Sequence, residues 1–307
     1  MPVVRVKAPA TTANLGPGYD CLGLALDVWN TLEVEIIDGG EPVVEISGEG
    51  EGELGTGRDN LVYRSMEFLF DDAGEKMPVV RIRCENTIPL ARGMGSSAAA
   101  IAGGLVAANS ICSQEYTAND LLEMAATIEG HADNVAAAIM GGLQLVIIDQ
   151  TEDGRRLFTV PLNVPPELHA VVFVPEVRIS TEDARAVLPE TVSTADAVHN
   201  MGRIGLLVAS MATNRPEYLA IATQDRLHQP YRQLLFPAMK VIFKAALDAG
   251  ALGVFLSGSG STVLALTQGR ELTVAYEMAE AARQASVEGN VSVTQPTVRG
   301  AHLVGEE

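Results

Sequence analysis

Apolar and polar positions alternate with period two in four segments of the first third of the chain: residues 3–8 (VVRVKA), 32–37 (LEVEII), 43–47 (VVEIS) and 79–84 (VVRIRC). Such alternation, in runs rich in Val and Ile, predicts β-strands with one face buried. Helical spacing interleaves with it. After Asp59 and Asn60, apolar residues fall at Leu61, Val62, Met66 and Leu69, and Thr117 with Asp120 forms a capping-box start for a helix carrying Leu121, Met124, Ala125 and Ile128. Residues 151–168 (TEDGRRLFTVPLNVPPEL) combine a turn with three prolines and mark a boundary, which divides the chain into residues 1–160 and 161–307. Beyond it the pattern predicts a strand at 169–175, three helical regions separated by proline-containing turns, strands at 253–257 and 261–266, and a final helix and strand. The fold class is α+β, with helices on one face of the second sheet.

Composition narrows the function classes. The 307 residues suffice for two domains with their own cores, and 47% hydrophobic with 20% charged residues is the range of a globular enzyme. A formal charge of −18, with only four Lys among 21 basic residues and no basic run, argues against nucleic-acid or membrane-surface partners. Three widely spaced cysteines, Cys21, Cys84 and Cys112, suggest neither a disulfide framework nor a zinc site, so a reducing, cytoplasmic setting is expected. The N-terminus lacks the apolar core of a signal peptide, and the small-residue stretch at 98–108 is too short to span a bilayer. His169, His199 and His302 show no ligand spacing, and Trp29 reads as a packing residue.

The segment at 89–109, PLARGMGSSAAAIAGGLVAAN, carries the most chemistry. Gly93 and Gly95 permit positive φ and close approach of backbone to a ligand, and a helix starting at Ser96 and Ser97 would point unpaired N–H groups at it. A polyphosphate suits such a mouth, although a glycine turn capping a tightly packed helix would read the same. The pattern is neither a Walker A loop nor a dinucleotide GxGxxG fingerprint.

Two further blocks flank it. In APATTANLGPGYDCLGLAL (8–26), a polar turn spanning Thr11, Thr12, Asn14 and Gly16–Gly18 delivers Asp20 before an apolar run, where a carboxylate needs a partner. In EGHADNVAAAIMGG (129–142), Glu129 shares a helix face with Leu122, Ala125 and Ala126, whereas Glu123 lies with Asn119, Asp120 and Thr127. Glu129 is therefore expected to point inward, as a Mg²⁺ ligand beside a phosphate loop or as a satisfied helix-end Glu.

PLARGMGSSAA resembles the phosphate-binding signature of the GHMP kinases, usually PxxxGLGSSAA, with Met94 a departure of similar volume. The flanking blocks are similar to homoserine kinases in particular, with Tyr19 for Phe, and Ala132 and Ala137 for Pro. A third segment, GALGVFLSGSGST (250–262), resembles the family's GSGPT turn with Ser261 for Pro. The resemblance covers nearly the whole chain. It implies a two-domain GHMP kinase fold: an N-terminal βα domain with a left-handed βαβ crossover and a C-terminal ferredoxin-like α/β sandwich. It also implies ATP-dependent phosphorylation of the L-homoserine hydroxyl.

By that resemblance ATP would lie along Asn60, Pro89, Leu90, Ala91, Arg92, Gly93, Met94, Gly95, Ser96, Ser97, Ala98 and Ala99, and Glu129 with Ser97 would hold Mg²⁺. Asn14, Asp20, His131, Asn134, Arg185 (in STEDAR) and Arg232 (in HQPYR) would line the homoserine site, with Asn134 and Ser97 nearest the chemistry. A zwitterionic amino acid needs an anion for its ammonium, which Asp20 can supply, and a planar cation for its carboxylate. No general base is assigned. Another small-molecule kinase of the family, of mevalonate or shikimate type, and a silent nucleotide-binding protein on the same fold remain as alternatives. A homodimer is left open.

Overall fold

The computed structural model describes residues 3–151 and 154–305. The first part of the chain runs β1 (Val3–Asn14), β2 (Gly18–Ile36), β3 (Val43–Gly48), α1 (Leu61–Asp72), β4 (Val80–Asn86), α2 (Ser96–Ile111), α3 (Ala118–Glu129), α4 (Asp133–Met140), β5 (Leu143–Thr151) and β6 (Gly154–Leu162). The second part contains β7 (His169–Pro175), α5 (Thr181–Ala186), α6 (Thr194–Ala212), α7 (Leu219–Ala222), α8 (Gln229–Arg232), α9 (Met239–Asp248), β8 (Gly253–Leu256), β9 (Val263–Thr267), α10 (Glu271–Gln284), β10 (Gly289–Thr294) and β11 (His302–Leu303).

Among the described residues seven strands form the first sheet, in the order β11-β1-β2-β4-β3, with β5 attached to β2 and β6 to β5. β3 and β4 pair in parallel with α1 between them, so they form a βαβ unit. The four period-two segments all lie in this sheet. Strands β1 and β2 are longer than the alternation predicts, because the sequence expected to be a polar turn at Thr11 and Thr12 stays extended. The hydroxyls of both threonines are buried but paired: Thr11 Oγ1 donates to Asn134 Oδ1 at 2.8 Å, and Thr12 Oγ1 donates to Ser257 Oγ at 2.8 Å. Buried hydroxyls with partners are tolerated inside a strand.

Four antiparallel strands in the order β10-β7-β9-β8 form the second sheet. Its alternate residues face two different cores. Val171 and Phe173 of β7 pack with Ile242 and Ala246 of α9 and with Val274 and Met278 of α10. Ala170 and Val172 face the other way, into a cluster with Leu22, Leu24 and Leu26 of β2 and with Leu207 and Met211 of α6. The sheet is therefore covered by helices on one face, as expected, and joined to the first part of the molecule on the other. Burial on both faces explains why all five residues of β9 are apolar or buried Thr.

The expected division at residue 160 falls within β6, and the two sheets part between Leu162 and His169. The chain then returns: β11 pairs with β1 through Val6–Leu303 and Lys7–His302, and Leu26 bridges to Pro296. Where three helical regions are expected between β7 and β8, five helices occur. Three of the five span only four to six residues, too short for a helical period to be visible. Among the described residues no helix is long and apolar enough to cross a membrane.

Candidate functional site

A cavity of about 610 Å³ opens where the two parts of the chain meet, within the range of small-molecule sites. The mouth of α2 forms part of its wall. Gly95 sits before that helix at φ 69°, in the left-handed region, and no side chain caps the helix. By contrast Asn60, Thr117, Ser180 and Ser193 cap α1, α3, α5 and α6 through their side chains. Among the described residues the first turn of α2 thus has no side-chain cap where it meets the cavity, and the helix dipole adds positive potential there.

Glycine is required twice in the loop. A Cβ on Gly95 would lie 1.9 Å from Thr11 Oγ1, and one on Gly93 would lie 2.0 Å from the Ser257 carbonyl oxygen. The loop is thus pressed between β1 and the 257–262 turn of the second part. That turn donates Ser257 Oγ to Gly93 O at 2.5 Å and Thr262 N–H to Arg92 O at 3.1 Å. All the residues expected along the nucleotide line the cavity except two. Arg92 turns away and donates to Pro175 O at 2.8 Å, and Ala98 is buried in the core beneath α2.

Asn60 lines the cavity, but its amide is occupied: Oδ1 accepts the Val62 N–H at 2.9 Å and Nδ2 donates to Gly55 O at 2.8 Å. Apolar wall is contributed there by Ile46, Leu61, Val62 and Leu90.

Glu129, the last residue of α3, points inward as its helix face predicts, and its carboxylate accepts from Ser97 Oγ at 2.5 Å. Glu123 instead lies outside and accepts the Leu157 N–H at 3.1 Å. The Glu129 and Ser97 oxygens are hard donors beside the α2 mouth. Among the described residues no cluster of three or more His, Cys, Asp or Glu could hold a metal. Two such oxygens fit Mg²⁺, which takes one or two protein oxygens and completes its shell with phosphate and water.

The polar side of the cavity gathers Asn14, Asp20, His131, Asp133, Asn134, Arg185 and Arg232. Asn14 is a scaffold there, because Oδ1 accepts the Asp20 N–H and Nδ2 donates to Gly258 O, both at 3.0 Å. Asp20 has the partner expected of it. Arg185, on the last turn of the Ser180-capped α5, donates Nη2 to Asp20 Oδ1 at 2.9 Å and Nη1 to Oδ2 at 3.0 Å. Arg232 is 2% exposed and is held from behind. Its Nε donates to Ala184 O at 3.1 Å, and Nη1 donates to Gly258 O at 2.9 Å and to His228 Nδ1 at 3.1 Å. Asp225 ties down the start of α8, which carries Arg232, by accepting the N–H groups of Leu227, His228 and Gln229.

Asp133, not singled out among the site residues, accepts the Asn134 N–H and pairs with His131 Nδ1, both at 2.8 Å. Burial opposes protonation of His131, but the hydrogen bond and charge of Asp133, with Glu129, outweigh it and raise the pKa. Burial, then the charges of Asp133 and Asp20, push the Cys21 thiol up to about 11, so it is no nucleophile at neutral pH. Sequence reasoning also passed over Glu53 and Arg178. These form a two-point ion pair, 2.5 and 3.0 Å, in the cavity wall. No local motif marks two residues 125 positions apart.

Residues 60–142 match the family model for the GHMP kinases N terminal domain, and residues 195–286 match that for the GHMP kinases C terminal. A homoserine kinase of Moorella thermoacetica is 42% identical over 304 residues, spanning 99% of this chain and all of that one. The chain belongs to the GHMP kinase family. A homoserine kinase of Caldanaerobacter subterraneus subsp. tengcongensis is 45% identical to this GHMP kinase, over 86% of this chain and 83% of its own. The crystal structure of homoserine kinase from Cytophaga hutchinsonii superimposes with a TM-score of 0.87 at 32% identity, covering 98% of this chain and 97% of that one. The L. major mevalonate kinase in complex with R-mevalonate shares the fold at a TM-score of 0.67 and 14% identity. The two-domain GHMP kinase fold is thus established.

Proposed function

We propose that this GHMP kinase, an ATP-dependent phosphotransferase with an alcohol acceptor, phosphorylates the side-chain hydroxyl of L-homoserine to O-phospho-L-homoserine, a step of threonine biosynthesis. The observation that carries the reading is the placement of one carboxylate, Asp20, and two guanidinium groups, Arg185 and Arg232, in the cavity that the uncapped mouth of α2 opens into. A zwitterionic amino acid supplies a partner for each charge, and the likeness to homoserine kinases agrees.

Phosphoryl transfer asks little covalent chemistry of the protein, so catalysis rests on alignment and on neutralising the moving charge. The backbone from Gly93 to Ser97 holds the phosphates, while Ser97 and Glu129 hold Mg²⁺. The bound metal neutralises phosphate charge. Asp20 takes the ammonium and the two arginines take the carboxylate, which leaves the hydroxyl end of the substrate directed toward Asn134. An amide accepts no proton at neutral pH, and the bonds to Asp133 from His131 and the Asn134 N–H fall on its Oδ1. No general base is assigned, and in this reading the hydroxyl proton goes to the transferring phosphoryl group, directly or through water. The free thiols Cys21, Cys84 and Cys112 support a reducing, cytoplasmic setting.

The test is ADP release with L-homoserine, mevalonate and shikimate offered separately. Turnover is expected with homoserine. A mevalonate kinase site would leave Asp20 without a counter-charge once Arg185 turned to the acid, so turnover of mevalonate with none of homoserine would reject the proposal.

A further inference from the structure

Arg185 and Arg232 come from separate short helices, and the side chain of Tyr19 meets both. The Arg185 guanidinium lies 5.6 Å from the centre of the Tyr19 ring and the Arg232 guanidinium 5.4 Å from it, both within the range at which a cation is attracted to an aromatic face. The phenol oxygen accepts a further bond from Arg185 Nη1 at 2.8 Å. Tyr19 itself is absent from the cavity wall, so it acts through the arginines.

His228 backs this arrangement. Its ring centre lies 5.3 Å from that of Tyr19. The side chain is fully buried, and both ring nitrogens are committed. Nε2 lies 2.7 Å from Gly16 O, an acceptor only, and Nδ1 lies 3.1 Å from Arg232 Nη1, a donor only. Those partners admit one form of the ring, neutral with its proton on Nε2. The same imidazole therefore fastens Arg232 to the turn at Gly16, just before Tyr19 and Asp20 at the start of β2. Arg232 Nη2 has no partner among the described residues and belongs to a side chain of the cavity wall.

We infer that Tyr19 and His228 are positioning residues that set the spacing and aim of Arg185 and Arg232, so that the two guanidinium groups receive one substrate carboxylate together. The inference rests on the proposed function and deepens it. Tyrosine stands where homoserine kinases typically carry Phe, and its hydroxyl gives Arg185 an anchor that persists when Asp20 turns to the substrate ammonium. The acceptor carboxylate thus meets a pair of cations already placed, rather than one free side chain and one fixed.

The experiment compares wild type, Tyr19→Phe, Tyr19→Leu and His228→Gln, with ADP release measured on L-homoserine and on 3-aminopropan-1-ol, the same alcohol without its carboxylate. Loss of the hydroxyl is expected to raise the homoserine KM about 5-fold, and loss of the ring about 30-fold, from the strengths of charged hydrogen bonds and cation–π contacts. His228→Gln is expected to raise it about 10-fold, from the one guanidinium contact it loosens. In all three the kcat at saturation and the KM for ATP stay within about 2-fold of wild type, and kcat/KM on the aminoalcohol is unchanged. An equal loss on both acceptors, a parallel rise in the ATP KM, or no change in any variant would overturn the inference while wild-type turnover of homoserine left the functional reading intact. A wild-type enzyme inert toward homoserine would overturn both.

Discussion

Arg185 grips Asp20 across the junction of the two domains through two parallel hydrogen bonds of 2.9 and 3.0 Å. Each is a stand-in for a group the proposed substrate would bring: the Asp20 carboxylate for the acid, the guanidinium for the ammonium. The side chains are 40% and 38% exposed, so the pair contributes only about 0–1 kcal/mol and yields readily. A zwitterion that inserts between them exchanges one ion pair for two.

Asp20→Asn removes the ammonium partner and keeps the shape. The KM for homoserine should rise about 10- to 100-fold, the worth of one or two charge-assisted bonds. The KM for ATP, read in the same assay, should stay at the wild-type value. An equal rise in both would place Asp20 outside the acceptor site.

Glu129→Gln preserves the acceptor for Ser97 Oγ, so the thermal unfolding midpoint should be close to that of wild type. Its kcat should fall about 100-fold or more, the scale of losing one charged group at the transferring phosphoryl. The Mg²⁺ concentration giving half-maximal rate should rise. Wild-type kcat and Mg²⁺ dependence would remove Glu129 from the metal site, and Glu123→Gln, outside the cavity, serves as the control.

Gly93→Ala puts a methyl 2.0 Å from the Ser257 backbone oxygen at a residue with φ 76°. Neither the clash nor the left-handed backbone can be relieved by turning a side chain. Denaturant unfolding should show a loss of at least about 2 kcal/mol together with weakened ATP binding. Gly205→Ala, in α6 with no atom within 4 Å of the new Cβ, should instead gain about 0.5–1 kcal/mol.

Burial, helped by the charge of Arg232, pushes the pKa of His228 down to about 4, against 6.5 for the free side chain. Between those two pH values the unfolded chain binds a proton that the folded chain refuses. This contribution to stability is therefore fully present above about pH 6.5 and falls as pH drops, by up to about 1.4 kcal/mol per pH unit, until it levels off near pH 4. Urea unfolding at pH 7 and at pH 4.5 checks it. His228→Gln should show a shallower pH dependence than wild type, and identical slopes would contradict the neutral buried ring.

The phosphate loop and the N-terminal strands were legible because their signals are local. Asn60 and Thr117 announce their helices by capping chemistry, and Val/Ile alternation marks the strands. The helix face of Glu129 was legible for the same reason. What escaped depends on distant partners. The extended course of β1 through Thr11 and Thr12 requires Asn134 and Ser257 to receive their hydroxyls. Tyr19 looks like a mild replacement for Phe until two arginines from other helices are seen against its ring. The return of β11 to β1 rests on two residue pairs and leaves no periodic trace. Short helices such as α8 are fixed by Asp225 rather than by their own pattern.

The most direct test is ³¹P NMR of the purified protein incubated with ATP, Mg²⁺ and L-homoserine. A phosphomonoester resonance coupled to the homoserine γ-methylene protons, growing in step with ADP and absent without the amino acid, is the predicted result. ADP that accumulates at the same rate without homoserine, or a spectrum in which ATP stays intact, would contradict the account.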